Sequence, residues 1–451
     1  MNETARVRGV GVRPRARSIR VAVGFAVVTA LIAAGLSGTG GATQASAPGV
    51  TDKTVTLGYI YPATGVAASI SANGVKGFEA RIARQNANGG VDGRKIEFDA
   101  VDDQSSGANL TAAQNLVQSR HVFAVVNQSP FAFVTYRWLL DHGVPMIGAG
   151  TDGTYYSDKG NENVLNMAGN SVPWGDLTYD TGARAMKMLG AKKVGVLAYG
   201  AASSSVAAAK AFMNYAVPEL GLDPVYTNTA VDFGTSDVSP LVLGIKNSGA
   251  DSVYLPMAAA TNVAVAEGLQ QNGIDTKAVI LATGYGQDFL DSPGTKALGP
   301  STLLVSGFKP VELKTKATEQ FQADLSKYAH FTGVPDYGMY TGYVIAEFTI
   351  LALEHAGNPP TRQGLVDGAH ALGTYDEAGL ACQPVDVSLA DRAKTPKTTC
   401  GYFLQVKNGK FVLFPKSGNP VIGKLVGSPA ALKQASTGAT TTTTSTTAAP
   451  G

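Results

Sequence analysis

Two adjacent acids, Asp102 and Asp103, are the first residues to weigh for chemistry, because general acid/base work needs paired carboxylates. They end a run, Lys95–Val101 (KIEFDAV), that alternates as a strand does, and neighbours in an extended chain point to opposite faces. The pair therefore reads as loop capping or solvation, roles aspartate often takes in turns. Five histidines (His121, His142, His330, His355, His370) are scattered with none at metal-ligand spacing. There is no Walker loop and no Gly-x-Ser-x-Gly elbow, and Gly148-Ala149-Gly150-Thr151 lacks the strict dinucleotide spacing. With no set of nucleophile, base and orienting group, the sequence predicts no enzyme, no cofactor and no metal.

Non-covalent capture fits the residue types better. Five short segments follow apolar runs and combine small, hydroxyl-bearing and aromatic side chains. They are Asn127-Gln128-Ser129-Pro130-Phe131, Ala149-Gly150-Thr151-Asp152, Tyr199-Gly200-Ala201-Ala202-Ser203, Met257-Ala258-Ala259-Ala260-Thr261 and Thr283-Gly284-Tyr285-Gly286. Loops at the carboxyl ends of parallel strands are where open α/β sheets hold ligands. Ordinary loop and helix capping is the alternative for each serine, threonine and glycine among them.

The elements that must carry these loops alternate in type. Val55–Tyr61 (VTLGYIY) is a buried strand by its β-branched and aromatic content, and Val75, Phe78 and Ile82 share one helix face. Lys95–Val101, a helix at Ala108–Gln118, a strand at Val122–Val126, a helix at Phe133–Leu140 and a strand at Val144–Ile147 continue the cycle. A second series has strands at Lys193–Leu197, Ser252–Leu255, Ala278–Ala282 and Leu303–Val305, with helices over Val206–Tyr215, Leu241–Lys246 and Asn262–Gln271. Such alternation implies mainly parallel sheets with helices on both faces. A long helix at Tyr340–Ala356 breaks the rhythm. Tyr402–Val406 and Phe411–Phe414 then form a hairpin around Asn408-Gly409.

The chain has 451 residues, enough for two cores. Six arginines precede an uncharged apolar run from Val21 to Leu36, and small residues follow to Ala47. Residues 1–47 read as a secretory signal peptide, with an uncleaved signal anchor as the rival; no cysteine near the apolar run offers a lipid-attachment site. The net charge of +2 belongs to that segment, since residues 48–451 carry 30 Lys and Arg against 33 Asp and Glu. Nucleic acid is therefore not an expected partner. Cys382 and Cys400 are the two cysteines, and in an exported chain they are expected to pair, free buried thiols being the alternative. Residues 427–451 are expected to be a disordered tail around the tract Thr440–Thr447.

Three stretches carry a family resemblance. VTLGYIYPATG, the run Gly74-Val75-x-Gly77-Phe78-Glu79-Ala80 and NANGGVDGRKIEFDAVDDQSS together resemble the opening of branched-chain amino-acid (Leu/Ile/Val) binding proteins of the periplasmic binding protein type I class. Val144–Asp152 is similar to the strand and loop that carry that family's ligand contacts. The resemblance implies two doubly wound α/β lobes joined by three crossover strands, the first lobe holding residues 51–171 and 307–378 and the second 172–306 and 379–426. It further implies an exported, monomeric solute-binding protein that closes on a small molecule and delivers it to the permease of an ABC importer. A surface sensor using the same fold is the alternative. Carried over by position, Ser129 with Gly150 and Thr151 would grip a ligand carboxylate, with Gln128 and Phe131 in the same loop and Ser69 and Ile70 lining the cavity. In the second lobe Tyr199, Ser203, Ala259 and Tyr285 take the corresponding places. There the chain departs from the family: small residues replace two aromatics, and no acid stands at Gly284 or Tyr285 to hold an ammonium. Burying an ammonium without a countercharge is costly. Unless Asp288 or Asp152 substitutes, this departure points to an acid or polar-headed compound with a larger or more apolar body, within a range of amino acid-like, carboxylate and aromatic or amide molecules.

Overall fold

The computed structural model describes residues 47–438 apart from 106, 150–152, 154, 169–172 and 392–393, with only the backbone of Ser203 and Ala297. Residues 1–46 of the stretch read as a signal peptide, Gly150, Thr151 and the threonine tract lie outside the described residues.

The first strand is β1 (Thr54–Tyr61), whose apolar residues Leu57, Tyr59 and Ile60 are wholly buried. After a single helical turn at Ala68–Ser71 comes α1 (Gly74–Ala87), which buries Phe78 and Ile82 as their spacing requires. There follow β2 (Lys95–Asp102), α2 (Ala108–Gln118), β3 (Val125–Asn127), α3 (Tyr136–Asp141), β4 (Met146–Gly148) and β5 (Val164–Asn166). The five strands form one parallel sheet in the order β2-β1-β3-β4-β5.

The second series comprises β6 (Leu177–Tyr179), α4 (Thr181–Met188), β7 (Lys193–Tyr199), α5 (Ser203–Ala211), β8 (Asp223–Val231), α6 (Ser239–Ser248), β9 (Ser252–Leu255), α7 (Ala259–Gln271), β10 (Ala278–Leu281), α8 (Gln287–Asp291) and β11 (Thr302–Ser306). Next come α9 (Lys316–Tyr328), α10 (Tyr337–Glu354), α11 (Arg362–Ala371), the short pair β12 (Thr374–Tyr375) and β13 (Val385–Asp386), then β14 (Thr398–Lys407), β15 (Lys410–Phe414), β16 (Val421–Gly427) and α12 (Pro429–Thr437). The second sheet runs β6-β16-β14-β11-β10-β9-β7-β8, with β15 hairpinned onto β14. Its β8-β7-β9-β10-β11 portion is parallel and the remainder antiparallel.

Helices α9 to α11 follow the parallel strands of the second sheet in sequence, yet they cover the first. Glycine explains the closest approach: a Cβ on Gly77 of α1 would collide with Met339 O of α10, and one on Gly342 would collide with Gly74 O. Arg81 pairs with Glu347 beside this contact, and Arg84 Nη1 donates to Asp324 Oδ2 of α9 at 2.7 Å. The chain returns toward the second sheet through a segment bridged to the outgoing one. Phe308 pairs with Ala381, Lys309 N donates to Leu380 O at 2.8 Å, and Lys309 Nζ donates to Gly379 O at 2.8 Å. The disulfide joins Cys382 of this segment to Cys400 of β14.

Several elements differ from the sequence expectations. Strands β5, β6, β8 and β16 and helices α9 and α11 were not anticipated, because short or polar runs such as DPVYTNTAV carry weak periodicity. The tail expected from residue 427 instead opens with α12, whose first turn is capped by Ser428 accepting from Ala431 N. Polar composition around that segment hid a capping serine followed by proline at the first helical position.

Candidate functional site

The described loops singled out in the sequence follow the carboxyl ends of the parallel strands of the two sheets. At the first sheet, β1 and β2 end side by side, with Tyr61 opposite Asp102. Asp102 Oδ1 accepts from Ala63 N at 2.9 Å, Thr64 N at 3.2 Å and Gln104 N at 2.8 Å, while Oδ2 accepts from Thr64 Oγ1 at 2.6 Å. Burial works against its charge, but the Thr64 hydroxyl and these amides outweigh it and lower its pKa. Asp102 is thus a loop-capping carboxylate, as its sequence setting suggests. Gly65 completes the turn at φ +87°, where a Cβ would also press on Gln104 O.

Asp103 faces the other way and is fully buried. Its Oδ1 accepts from Ser105 N at 3.0 Å, and its Oδ2 accepts from Asn109 Nδ2 at 2.8 Å and from the Ser129 hydroxyl. Asn109 Oδ1 in turn accepts from Asn127 Nδ2 at 2.8 Å and Thr135 Oγ1 at 2.5 Å, and Asn127 Oδ1 accepts from Ser129 N at 3.2 Å. This water-shielded network fixes the loop after β3. Gln128 fixes the same loop from its other side: its Oε1 accepts from Tyr59 OH and its Nε2 donates to Gly338 O of α10 at 2.9 Å.

Three of the residues expected to meet a ligand have partners within the protein in this structure. Ser129 and Gln128 were expected to meet a ligand, but both are buried, the serine's single proton goes to Asp103, and both polar ends of the glutamine are occupied within the protein. Tyr285 was placed on the ligand as well. Its ring instead packs 4.9 Å from that of Phe411, its OH donates to Glu312 Oε2 at 2.7 Å, and the same oxygen accepts from Val311 N at 3.0 Å. It braces the outgoing crossing segment. Burial, first, raises the pKa of both Tyr285 and Glu312. Ser69 is exposed, and Ile70 and Phe131 are half-buried at the first sheet's edge.

At the second sheet the edge has a different make-up. Tyr199 ends β7; its N–H donates to Ser205 Oγ at 3.0 Å and its OH to Thr261 Oγ1 of α7 at 2.7 Å. Its ring is stacked on Phe233, with centroids 4.0 Å apart and planes at 23°. Sequence reasoning missed Phe233 because β8, which precedes it, was not recognised. Helices α5 and α7 begin after Ala202 and Ala258, neither able to cap with a side chain, whereas α9 to α12 begin with capping Thr315, Asp336, Thr361 and Ser428. Ala259, half-buried, is the first residue of α7. Asn262 Nδ2 donates to Met257 O at 3.0 Å, which also accepts from Thr283 Oγ1 at 2.6 Å.

The two edges are tied together through the loop after β10. Gln287 N donates to Val334 O at 2.8 Å, and Val334 N donates to Gln287 Oε1 at 3.2 Å. Asn73 Nδ2, at the start of α1, donates to Asp336 Oδ2 at 2.6 Å and lies 3.4 Å from Asp288 Oδ2. Asp288, one of the two acids that could substitute for the missing countercharge, is thus engaged at this junction. Among the described residues no group of three His, Cys, Asp or Glu could hold a metal ion, and no helix is long and apolar enough to cross a membrane.

Comparison with known proteins agrees with this architecture. A family model described as periplasmic binding protein matches residues 54–410. A Leu/Ile/Val-binding protein homologue from Brucella melitensis biotype 1 is 28% identical over 206 residues, 44% of this chain and 53% of that protein, so the match spans about half the relative's length. A fatty acid ABC transporter substrate-binding protein from Thermomonospora curvata superposes with a TM-score of 0.66 at 20% identity, covering 88% of this chain and 98% of that one. A solute-binding protein of an ABC transporter from R. palustris, in complex with 4-hydroxybenzoate, gives 0.63 at 21% identity over 80% of this chain and 95% of its own.

Proposed function

Since the chain belongs to the periplasmic binding protein family, we propose that it is the extracytoplasmic solute-binding component of an ABC importer, holding a small acid or polar-headed molecule between its two lobes. The observation that carries this reading is the parallel strands of both sheets, whose carboxyl ends carry short, small-residue loops suited to a ligand. On this reading the lobes comprise residues 51–171 with 307–378 and 172–306 with 379–426, and they close as rigid bodies about the crossing segments. Ser69, Ile70, Phe131 and Ala259 line the cleft, with Tyr199 behind it and with Gly150, Thr151 and Ser203 as further candidates by their place in the sequence, while Gln128 and Ser129 position the loop after β3. The relatives' names span Leu/Ile/Val, fatty acids and 4-hydroxybenzoate, so the ligand class is set by this chain's own second edge. The closed form would dock on the importer's permease and release the solute.

A thermal-shift screen with isoleucine, decanoate and benzoate tests the proposal. A ligand at a hundredfold excess over its Kd stabilises the bound fold by ~2.7 kcal/mol, a clear rise in Tm. Small-angle scattering with the responding compound should then show a smaller radius of gyration. If no compound of these three classes raises Tm, or if the dimensions stay unchanged at saturation, the importer reading is wrong.

A further inference from the structure

We infer that the exposed ring of Phe233, backed by Tyr199, is the surface on which the second lobe receives its ligand, and that the ligand has a flat aromatic body. The inference rests on the solute-binding reading and deepens it. Parallel pairing of β7 with β8 puts Tyr199 opposite Val231, and Gly200 N donates to Val231 O at 3.0 Å. Phe233 therefore lies just past the sheet's carboxyl edge, level with the loop Gly200–Ala202.

Single exposed apolar side chains are common on protein surfaces, so exposure alone would mean little. What distinguishes Phe233, 38% exposed, is its support. The Tyr199 ring beneath it is 3% exposed and held at both ends, by Ser205 at its backbone and by Thr261 at its hydroxyl. One face of Phe233 is thereby fixed against an anchored ring, which leaves the other as a rigid apolar plane. Gly200, Ala201 and Ala202, level with Phe233, and Ala258, Ala259 and Ala260, which precede the Thr261 that holds Tyr199, carry only short side chains. These short side chains leave room for a body the size of a ring. Aromatic groups stack on such a plane with an attraction beyond that of buried area, which a saturated body of equal size does not share.

Charge sets the orientation. Asp232 is the exposed neighbour of Phe233, and no Lys or Arg occurs in the segments 200–202, 256–260 or 282–286. A ligand carboxylate is repelled from this edge and points toward the first lobe, leaving the ring on Phe233. An aromatic carboxylate satisfies both conditions.

The test uses the full chain with benzoate, cyclohexanecarboxylate, isoleucine and decanoate as probes, and the variants F233A and F233W. Benzoate should bind at least tenfold more tightly than cyclohexanecarboxylate, and F233A should weaken it tenfold or more while leaving the unliganded Tm nearly unchanged. In F233W, benzoate should shift or quench the new indole emission relative to the parent protein. Equal affinity for the two ring acids would overturn the aromatic class. Binding of any probe with less than a twofold effect of F233A and no change in F233W emission would overturn the platform, while leaving the solute-binding reading intact. Binding of none of the four would remove both.

Discussion

The two sheet edges solve the same problem with opposite means. At the first, the loops are held by polar side chains: half-exposed Asp102 gathers three amides and a hydroxyl, and the buried Asp103, Asn109, Asn127, Ser129 and Thr135 form a connected network. At the second, the loops are mostly alanine and glycine, and they are held by an aromatic pair anchored on Ser205 and Thr261 together with Asn262 and Thr283 on Met257 O. A polar network fixes geometry because every buried group in it would be costly to leave unpaired. An alanine-lined edge fixes little by itself but leaves volume. On the proposed function, the first lobe would hold a constant head group and the second would accommodate a body.

Breaking the network should have the largest effect. Asp103→Ala leaves Ser105 N, Asn109 Nδ2 and Ser129 Oγ without their acceptor in a fully buried site, which should cost ~3 kcal/mol or more. Urea denaturation followed by circular dichroism reads this directly; a loss under ~1 kcal/mol would mean that water replaces the carboxylate and that the first edge is less rigid than described.

The crossing between the lobes follows neither pattern and gives a pH-dependent contrast. Glu377 is buried, adopts φ +55° and is followed by Ala378 at +60° and Gly379 at +76°. Burial first, and the neighbouring Asp376 second, push its carboxyl from the ordinary 4.5 up to about 8; Tyr337 and Tyr375 also face it, and the Lys309 amine lies at Gly379 O. The unfolded chain gives up this proton near 4.5 and the folded one near 8, so folding retains a proton between those values. Stability from this group is therefore complete below 4.5 and lost as pH rises through about 8. Glu377→Gln, neutral throughout, should unfold at the same urea concentration as the parent at low pH and at a higher one in mild alkali. Curves that stay parallel across that range would show that Glu377 is ionised in the folded protein.

The smallest effect is expected at the second edge. Tyr199→Phe removes the bond to Thr261 but keeps the stack on Phe233, so stability should fall by ~1 kcal/mol and the ligand-induced rise in Tm should persist. Loss of that rise would show that the hydroxyl, and not the ring alone, supports binding.

Much of the fold was legible because buried strands such as VTLGYIY and the Val75, Phe78, Ile82 face carry strong periodicity. The Cys382–Cys400 pairing and the hairpin on Asn408-Gly409 are also as the sequence suggests. The site was legible only to the level of loops. Ser129 and Gln128 lie in the expected loop, yet their partners come from Asp103, Tyr59 and Gly338, which are distant in sequence. Phe233 escaped notice because the polar strand before it looks like a loop.

Sequence by itself determined the alternation of strands and helices, the positions of the strand-end loops, and their depletion of large residues in the second half. Those follow from local pattern and side-chain chemistry. Tertiary structure alone decided which polar side chains stay free for a ligand. A hydroxyl or amide in a loop bonds to whatever the fold brings within about 3 Å, and only packing determines whether that neighbour is protein or solute.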